Sequence, residues 1–509
     1  MEQKFHAKIK ELLEKLNLGY MQGVAYDTAW VARLQNMSGK TIFPQSLQWL
    51  EDHQKEDGSW GGEVAYYHDR MISTLVSIIT LAKSKGKMYS NRIKRGEEYL
   101  WENISKLKMD PYETIGFELI FPTAMQEAKK YGLNLPFSDP CVIAYNKIKE
   151  KKLSLIPKDM IYSNKTTLTY SMEFFGEEIN REKIKNIRFS NGSIGNSPST
   201  TAYSLSLGQN HEGINYIKDC LSLDNNGSVP AMYPFEIFEK AWILNNFIYS
   251  GVPIYEEMWP HVNYLKSVWK TPGVAWTNSY PVPDSDGSAV AFKILNTFGY
   301  KMDGSFLERY EKENYFITYE FEINPSISAN IHILDAIKYC NDYQRKEEVI
   351  EKILKYLRNA RIDGNHWQDK WHISPYYATA HAIFAIGDLD ISLIESTLDW
   401  LMRTQNPNGS WGSKDGNIED TCLAVQCLLF YHNNIGSIDI DIISRGIFWI
   451  FNYWDGIIPE LWIAKGLYNP ENVVISLALS VLYDYYKTFG HNIVMPAIPA
   501  DFELSEPVK

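Results

Sequence analysis

Cysteine is scarce and poorly placed for cross-linking. There are five residues, Cys141, Cys220, Cys340, Cys422 and Cys427, odd in number and without a Cys-x-x-Cys pair. This excludes a dense disulfide framework and a zinc ribbon, and it points to a reducing, cytoplasmic compartment. Long apolar runs are missing as well: no stretch approaches the roughly 18 residues of a membrane span. The segment Met1 to Leu18 spaces Phe5, Ile9, Leu12, Leu13 and Leu16 as an amphipathic helix. It has no apolar core of the signal-peptide kind and is too acidic for a transit peptide. Positive charge is in deficit, with a formal net charge of -12. No basic stripe is available for a nucleic-acid backbone, although an acidic protein can still hold a diphosphate locally.

What is present reads as globular and helical. Hydrophobic residues make up 45% and charged residues 22%, outside the range of disordered chains. A chain of 509 residues exceeds one ordinary core, so two or more domains are expected. Apolar residues recur near i, i+3, i+4 and i+7 in Ile72 to Leu81, Ile237 to Ile248, Leu393 to Met402 and Val473 to Tyr486, which predicts helices there. No alternating strand series is evident. Gly, Asn, Asp and Pro punctuate the intervals, as expected of helices joined by short turns.

An eight-residue unit repeats. Gln54-Lys55-Glu56-Asp57-Gly58-Ser59-Trp60-Gly61 returns as Gln405-Asn406-Pro407-Asn408-Gly409-Ser410-Trp411-Gly412, with degenerate relatives at Asn191-Gly192-Ser193, Asp303-Gly304-Ser305-Phe306 and Asp363-Gly364. Five identities in eight positions are too many for chance turns, and such repeats mark stacked supersecondary units. Glycine reverses the chain while Gln and Trp offer donors and apolar area to tie one helix end to the next. The unit is therefore structural.

The segment Val282-Pro283-Asp284-Ser285-Asp286-Gly287-Ser288-Ala289 leads into an apolar run from Val290 to Leu295. By turn chemistry alone it caps a helix. Two carboxylates at i and i+2 in a poorly solvated place can also share a proton at neutral pH, which supplies a Brønsted acid. His366, His372 and His381 lie near one another in sequence without the spacing of a metal motif, and read as structural histidines.

The repeat resembles the QW motif of the triterpene and class II diterpene cyclase superfamily, and Asp284-Ser285-Asp286-Gly287-Ser288-Ala289 is similar to its Asp-x-Asp-Asp-Thr-Ala motif. Further matches run in order through Ala25 to Arg33, Gly116-Phe117-Glu118, Ser197 to Tyr203, Ser328 to His332, Ser374 to Thr379, and Leu461-Trp462 with Lys465. The resemblance points to copalyl diphosphate synthase-like cyclases of the shorter bacterial form. It implies an all-α fold of two α/α double barrels, β and γ, with γ inserted after the first helix of β. The expected boundaries are 1–35 plus 253–509 for β and 36–252 for γ.

The activity implied is protonation of the terminal alkene of geranylgeranyl diphosphate and cyclisation to a bicyclic diphosphate. The same chemistry on farnesyl diphosphate or a squalene-type chain, and a non-catalytic binding role, are the alternatives. No Asp-Asp-x-x-Asp occurs, so ionisation of the diphosphate is not expected. Asp286 is the implied general acid, with Asp284 hydrogen-bonding to it or holding the pair's shared proton, and His332, or Asn330 nearby, as hydrogen-bond partner. Trp276, Phe316, Tyr376 and Tyr377 are implied cation-stabilising aromatics; Lys370 and Lys465 are implied phosphate contacts. Mg²⁺ is implied at Asp110 and Glu113. A homodimer or a downstream class I terpene synthase is an implied partner.

Two departures stand out. Gly287 and Ser288 replace the motif's last Asp and its Thr, and Tyr170, a further implied substrate contact, stands with Ala231 where plant enzymes making the ent product pair His with Asn. The plant ent product is therefore not expected.

Overall fold

The computed structural model describes residues 2–490 apart from 86–87, 321, 341–342, 414, 453 and 455. Among them are nineteen α-helices and only one pair of two-residue strands, Trp462–Ile463 with Leu467–Tyr468. Each periodic segment is helical: Glu2–Lys15, Tyr67–Lys85, Glu236–Tyr249, Ile391–Arg403 and Glu471–Phe489 enclose the runs identified in the sequence.

Six helices pack in a closed ring. Ser285–Thr297 packs on Ile327–Ile337, which packs on Pro375–Ile386, then Ile418–Asn434, Glu471–Phe489, Glu236–Tyr249 and back to Ser285–Thr297. These inner helices are apolar nearly all round; Pro375–Ile386, for example, buries every residue from Tyr376 to Ile386. A second layer lies outside them. Lys346–Asn359 buries only Val349, Ile350, Ile353 and Leu357, one stripe, and turns its charges to solvent. The result is an α/α double barrel.

A second ring is made by Ala25–Ala32, Tyr67–Lys85, Phe117–Lys130, the 3₁₀ segment Thr167–Glu178 and Pro198–Leu207, again with helices outside it. Each ring encloses its own hydrophobic core. One core draws on Phe5 to Val24 and Ala231 to Tyr485, the other on Ala25 to Val229. The cores change over near residues 24/25 and 229/231, whereas the expected boundaries stand at 35/36 and 252/253. Helix Ala25–Ala32 belongs to the second ring and Glu236–Tyr249 to the first, because each presents its apolar surface there.

The repeated unit does the same job in both barrels. Gln54 Nε2 donates to Gly58 O and Arg92 O, both at 2.9 Å, and Gln405 Nε2 donates to Gly409 O and Ile442 O, also at 2.9 Å. Trp60 Nε1 reaches Leu50 O at 2.8 Å and Trp411 Nε1 reaches Leu401 O at 2.7 Å. Gly58 and Gly409 have φ of +90° and +97°, and a Cβ on either would lie 2.5 Å from a carbonyl oxygen of the neighbouring helix. Glycine is required at both places by backbone conformation and by space.

Candidate active site

A cavity of about 1260 Å³ lies between the two barrels. The second barrel contributes Gly116, Leu119, Tyr170 and Phe174 to its wall; the first contributes Trp242, Trp276, Asp284, Asp286, Tyr319 and Trp462, among others.

The acidic segment forms the start of helix Ser285–Thr297. Asp284 is the N-cap, with extended φ/ψ of -123° and 156°, and its Oδ1 accepts from Gly287 N–H at 2.6 Å. The segment caps a helix, and it also sets two carboxylates in a cavity wall. Neighbouring loops are sewn to it. Ser285 Oγ donates to Ile317 O at 2.9 Å, and Ser288 Oγ accepts from Val274 N–H at 2.9 Å, so Ser288 still supplies a hydroxyl where the family has Thr. Gly287 leaves little room beside Asp284, because a Cβ there would stand 3.2 Å from Asp284 Oδ1.

Asp284 is buried, and its carboxyl is pushed up to about 8, first by desolvation and then by the charge of Asp286. At neutral pH it therefore carries a proton. Asp286, in the first turn of the helix, keeps 15% of its side chain exposed, and it lines the cavity. Its Oδ1 lies 2.5 Å from His332 Nδ1, and His332 Nε2 lies 2.8 Å from His381 Nδ1. Tyr319, which also lines the cavity, is held well above the usual phenol range, by burial first and then by Asp284; it is a neutral hydroxyl beside the pair.

The arrangement thus sets two carboxylates, one of them against His332, in the wall of a chamber that several aromatic side chains also line. The chain is similar along nearly its whole length to a type B diterpene cyclase of Mycobacterium tuberculosis, with 33% identity over 493 residues that cover 93% of this chain and 98% of that protein. It belongs to the class II diterpene cyclases. Residues 316–427 match the squalene-hopene cyclase C-terminal domain family. A (-)-kolavenyl diphosphate synthase of Tripterygium wilfordii is 32% identical over 374 residues, which cover 72% of this chain but 45% of the plant protein. The fold matches that of the ent-copalyl diphosphate synthase of Streptomyces platensis with a TM-score of 0.80, at 24% identity over 95% of this chain and 99% of that one.

The cyclase places the residues singled out in the sequence as follows. Asp284, Asp286, Trp276, Tyr170 and Lys370 line the cavity, and His332 stands behind Asp286. Asn330 does not approach the acid. Its amide accepts from Phe316 N–H at 2.8 Å and donates to Phe316 O at 2.9 Å, fixing the chain around that residue. Phe316, Tyr376 and Tyr377 are buried but are not part of the cavity wall. Tyr377 instead accepts from Trp242 Nε1 at 2.8 Å and stacks on His372 at 4.8 Å between ring centres. The aromatic surface facing the chamber comes instead from Trp242, Trp276, Tyr280, Trp371 and Trp462.

The expected phosphate contacts are also revised. Lys465 is fully buried away from the cavity, donating to Glu173 at 2.7 Å, Tyr170 O at 2.8 Å and Ser197 Oγ at 2.7 Å. It ties the strand pair of the first barrel to the core of the second. Lys370 lines the cavity but is paired with Glu322 and donates to Asn324 O. Lys165 and Lys270 also line the cavity, are exposed, and make no ion pair among the described residues. Arg309 and Lys152 lie there too, paired with Glu320 and Glu118.

Asp110 and Glu113 do not fit a magnesium ion. Asp110 Oδ2 accepts from His68 N–H at 2.8 Å and contacts His68 Nδ1 at 2.8 Å, Glu113 accepts from Tyr145 O–H at 3.0 Å, and neither lines the cavity. Among the described residues no group of three or more His, Cys, Asp or Glu side chains could hold a metal ion, whereas Mg²⁺ takes six oxygen ligands in near-octahedral geometry.

His381 is the residue that sequence reasoning passed over. Grouped with His366 and His372, it reads as structural in the sequence; in space His366 stacks on Trp400, His372 meets Glu419, and His381 reaches His332. Nothing local in the sequence carries a signal for this, since the contact joins different helices.

Proposed function

We propose that this cyclase protonates the terminal alkene of geranylgeranyl diphosphate at Asp286 and closes it to a bicyclic diterpenyl diphosphate, with the diphosphate left in place. The observation that carries the reading is the Asp286–His332 contact at 2.5 Å on the wall of a cavity of about 1260 Å³. Oδ1 of Asp286 is engaged by His332, which leaves Oδ2 to carry the proton into the chamber. When the proton passes to the alkene carbon, the carboxylate left behind keeps its hydrogen bond to His332. Bonds to the charged form stabilise it and strengthen the acid.

Asp284 assists by remaining protonated. A second negative charge beside Asp286 would make that carboxyl hold its proton more tightly and weaken the acid. The carbocation then meets the faces of Trp276, Trp242 and Trp462, each such contact contributing about 0.5–2 kcal/mol. Tyr170, where plant enzymes of the ent series carry His, donates its hydroxyl to Ala231 O at 3.0 Å and so has its proton tied to the backbone. This supports a product other than the plant ent type.

The diphosphate belongs with Lys165 and Lys270, cations at the cavity wall without an acidic partner among the described residues, and with the paired Arg309 and Lys152 beside them. Any Mg²⁺ enters as the diphosphate's counter-ion. We assign the barrel of residues 25–229 as an insertion into the other, following the two cores. No helix among the described residues is long and apolar enough to cross a membrane; the cytoplasmic reading rests on five cysteines that are all free.

The test is incubation of the purified protein with geranylgeranyl diphosphate, followed by dephosphorylation and mass spectrometry of the product, in parallel with Asp286→Asn. A cyclised C20 alcohol from the wild type and none from the variant is expected. Turnover that survives in Asp286→Asn removes Asp286 as the acid. Absence of product from C15, C20 and C30 substrates alike removes the enzymatic reading.

A further inference from the structure

We propose that His381 is a positioning residue for the acid: its Nδ1 accepts the Nε2–H of His332, so that His332 donates from both ring nitrogens and presents a cationic N–H to Asp286. The inference rests on the reading of Asp286 as the acid and extends it to a third helix. Asp286, His332 and His381 stand on three consecutive helices of the first ring, Ser285–Thr297, Ile327–Ile337 and Pro375–Ile386. Their contacts, 2.5 Å and 2.8 Å, form one chain that runs from the cavity wall into the barrel interior.

The surroundings hold His381 neutral. His381 is 2% exposed, and its ring is enclosed by Tyr377 at 4.5 Å, Tyr249 at 5.7 Å and Phe384 at 6.0 Å between centres. The charged and titratable groups facing it are His332 and Asp335 from one helix, Lys293 from the next, His372 ahead of its own helix, and the Tyr249 and Tyr377 hydroxyls. Lys293 and Asp335 neutralise each other at 2.7 Å, and Tyr249 donates to the same carboxylate oxygen at 2.7 Å. Desolvation first, and then His332, hold His381 well below the ordinary histidine value. His381 is therefore a neutral imidazole with one lone pair, and the nitrogen facing His332 is Nδ1.

With that acceptor in place, both N–H groups of a protonated His332 are satisfied, one by Asp286 and one by His381. Without it, the buried Nε2–H of a cationic ring has no partner, a desolvation cost that drives the proton off. His332 would then face Asp286 as a neutral ring, and the carboxylate formed by proton transfer would lose its charged donor.

His381→Phe removes the acceptor and keeps the aromatic packing; His381→Asn restores an oxygen acceptor near the Nδ1 position. His381→Phe is expected to lower kcat about tenfold to hundredfold, part of the roughly 10²–10⁴ that a positioned acid supplies. KM should change little, and the alkaline limb of the kcat profile should move to lower pH. His381→Asn is expected to recover most of the loss. Ring ¹⁵N chemical shifts of His332 provide a readout independent of turnover: two protonated nitrogens in the wild type and His381→Asn, one in His381→Phe. Urea midpoints establish that each variant is folded. The proposal is overturned if His332 shows one protonated nitrogen in the wild type, or if a folded His381→Phe keeps the wild-type kcat and pH profile. It is equally overturned if a folded His381→Asn is as impaired as the Phe variant. Loss of the Asp286 reading, by contrast, shows as turnover in Asp286→Asn.

Discussion

Asp284→Asn should stabilise the protein increasingly as pH rises. Asp284 is wholly buried, and its carboxyl is raised from an ordinary value of 3.8 to about 8, with desolvation the larger cause and Asp286 the next. In the unfolded chain it ionises near its ordinary value, so between about pH 4 and pH 8 the folded state binds a proton that the unfolded state does not. Stability then falls as pH rises through that window, because the unfolded state gains by releasing the proton. At 1.36 kcal/mol per unit, the loss is roughly 2 kcal/mol at pH 5 and roughly 6 kcal/mol at pH 8, both upper bounds for a single group. Asparagine cannot ionise, and its Oδ1 can still accept from Gly287 N–H as an N-cap. The difference in unfolding free energy between Asp284→Asn and wild type should therefore widen by about 4 kcal/mol from pH 5 to pH 8. Urea denaturation of both proteins at pH 5, 6.5 and 8 measures it. Parallel dependences for the two proteins would refute the claim that Asp284 is protonated at neutral pH.

The same protonation state sets the rate: wild-type kcat should fall above pH 8, about tenfold per unit once Asp284 ionises, and a kcat that stays level to pH 9.5 would contradict this. Lys465→Met leaves Glu173 without its cation where both side chains are fully buried; destabilisation of about 3–5 kcal/mol is expected in urea denaturation, partly relieved in the double variant with Glu173→Gln. Gly409→Ala, with φ of +97° and a Cβ 2.5 Å from Arg445 O, should cost more than Gly132→Ala, where φ is +68° and nothing lies within 4 Å; the latter change should cost about 1–2 kcal/mol from backbone strain alone. Lys270→Ala is expected to raise KM for the prenyl diphosphate with little change in kcat, and an unchanged KM would place the diphosphate elsewhere.

Most of the fold was legible because its signals are local. Apolar residues at helical spacing marked Tyr67–Lys85 and Glu471–Phe489, and the turn residues of the repeated unit marked where Trp60 and Trp411 tie helix ends together. The acid segment was legible for the same reason, since Asp284, Asp286 and Gly287 act within one helical turn. The lysines were not. Lys465 and Lys270 look alike in sequence, yet one is buried against Glu173, 292 residues away, and the other stands exposed at the cavity. Core membership is not legible for a related reason: Ala25–Ala32 and Glu236–Tyr249 are both buried on most faces, and only packing decides which core receives them.

The sequence by itself determined what short-range chemistry determines: helices and their caps, glycine at left-handed turns, and an acidic pair at a helix start. The tertiary structure alone decided how two rings close, which aromatic faces line the chamber, and which cations remain unpaired. It also chose His332 over Asn330 as the partner of Asp286, and it alone joined His332 to His381 across 49 residues. Hydrogen bonds and desolvation act over a few ångströms in space, and in a barrel of long helices neighbours in space are distant in sequence.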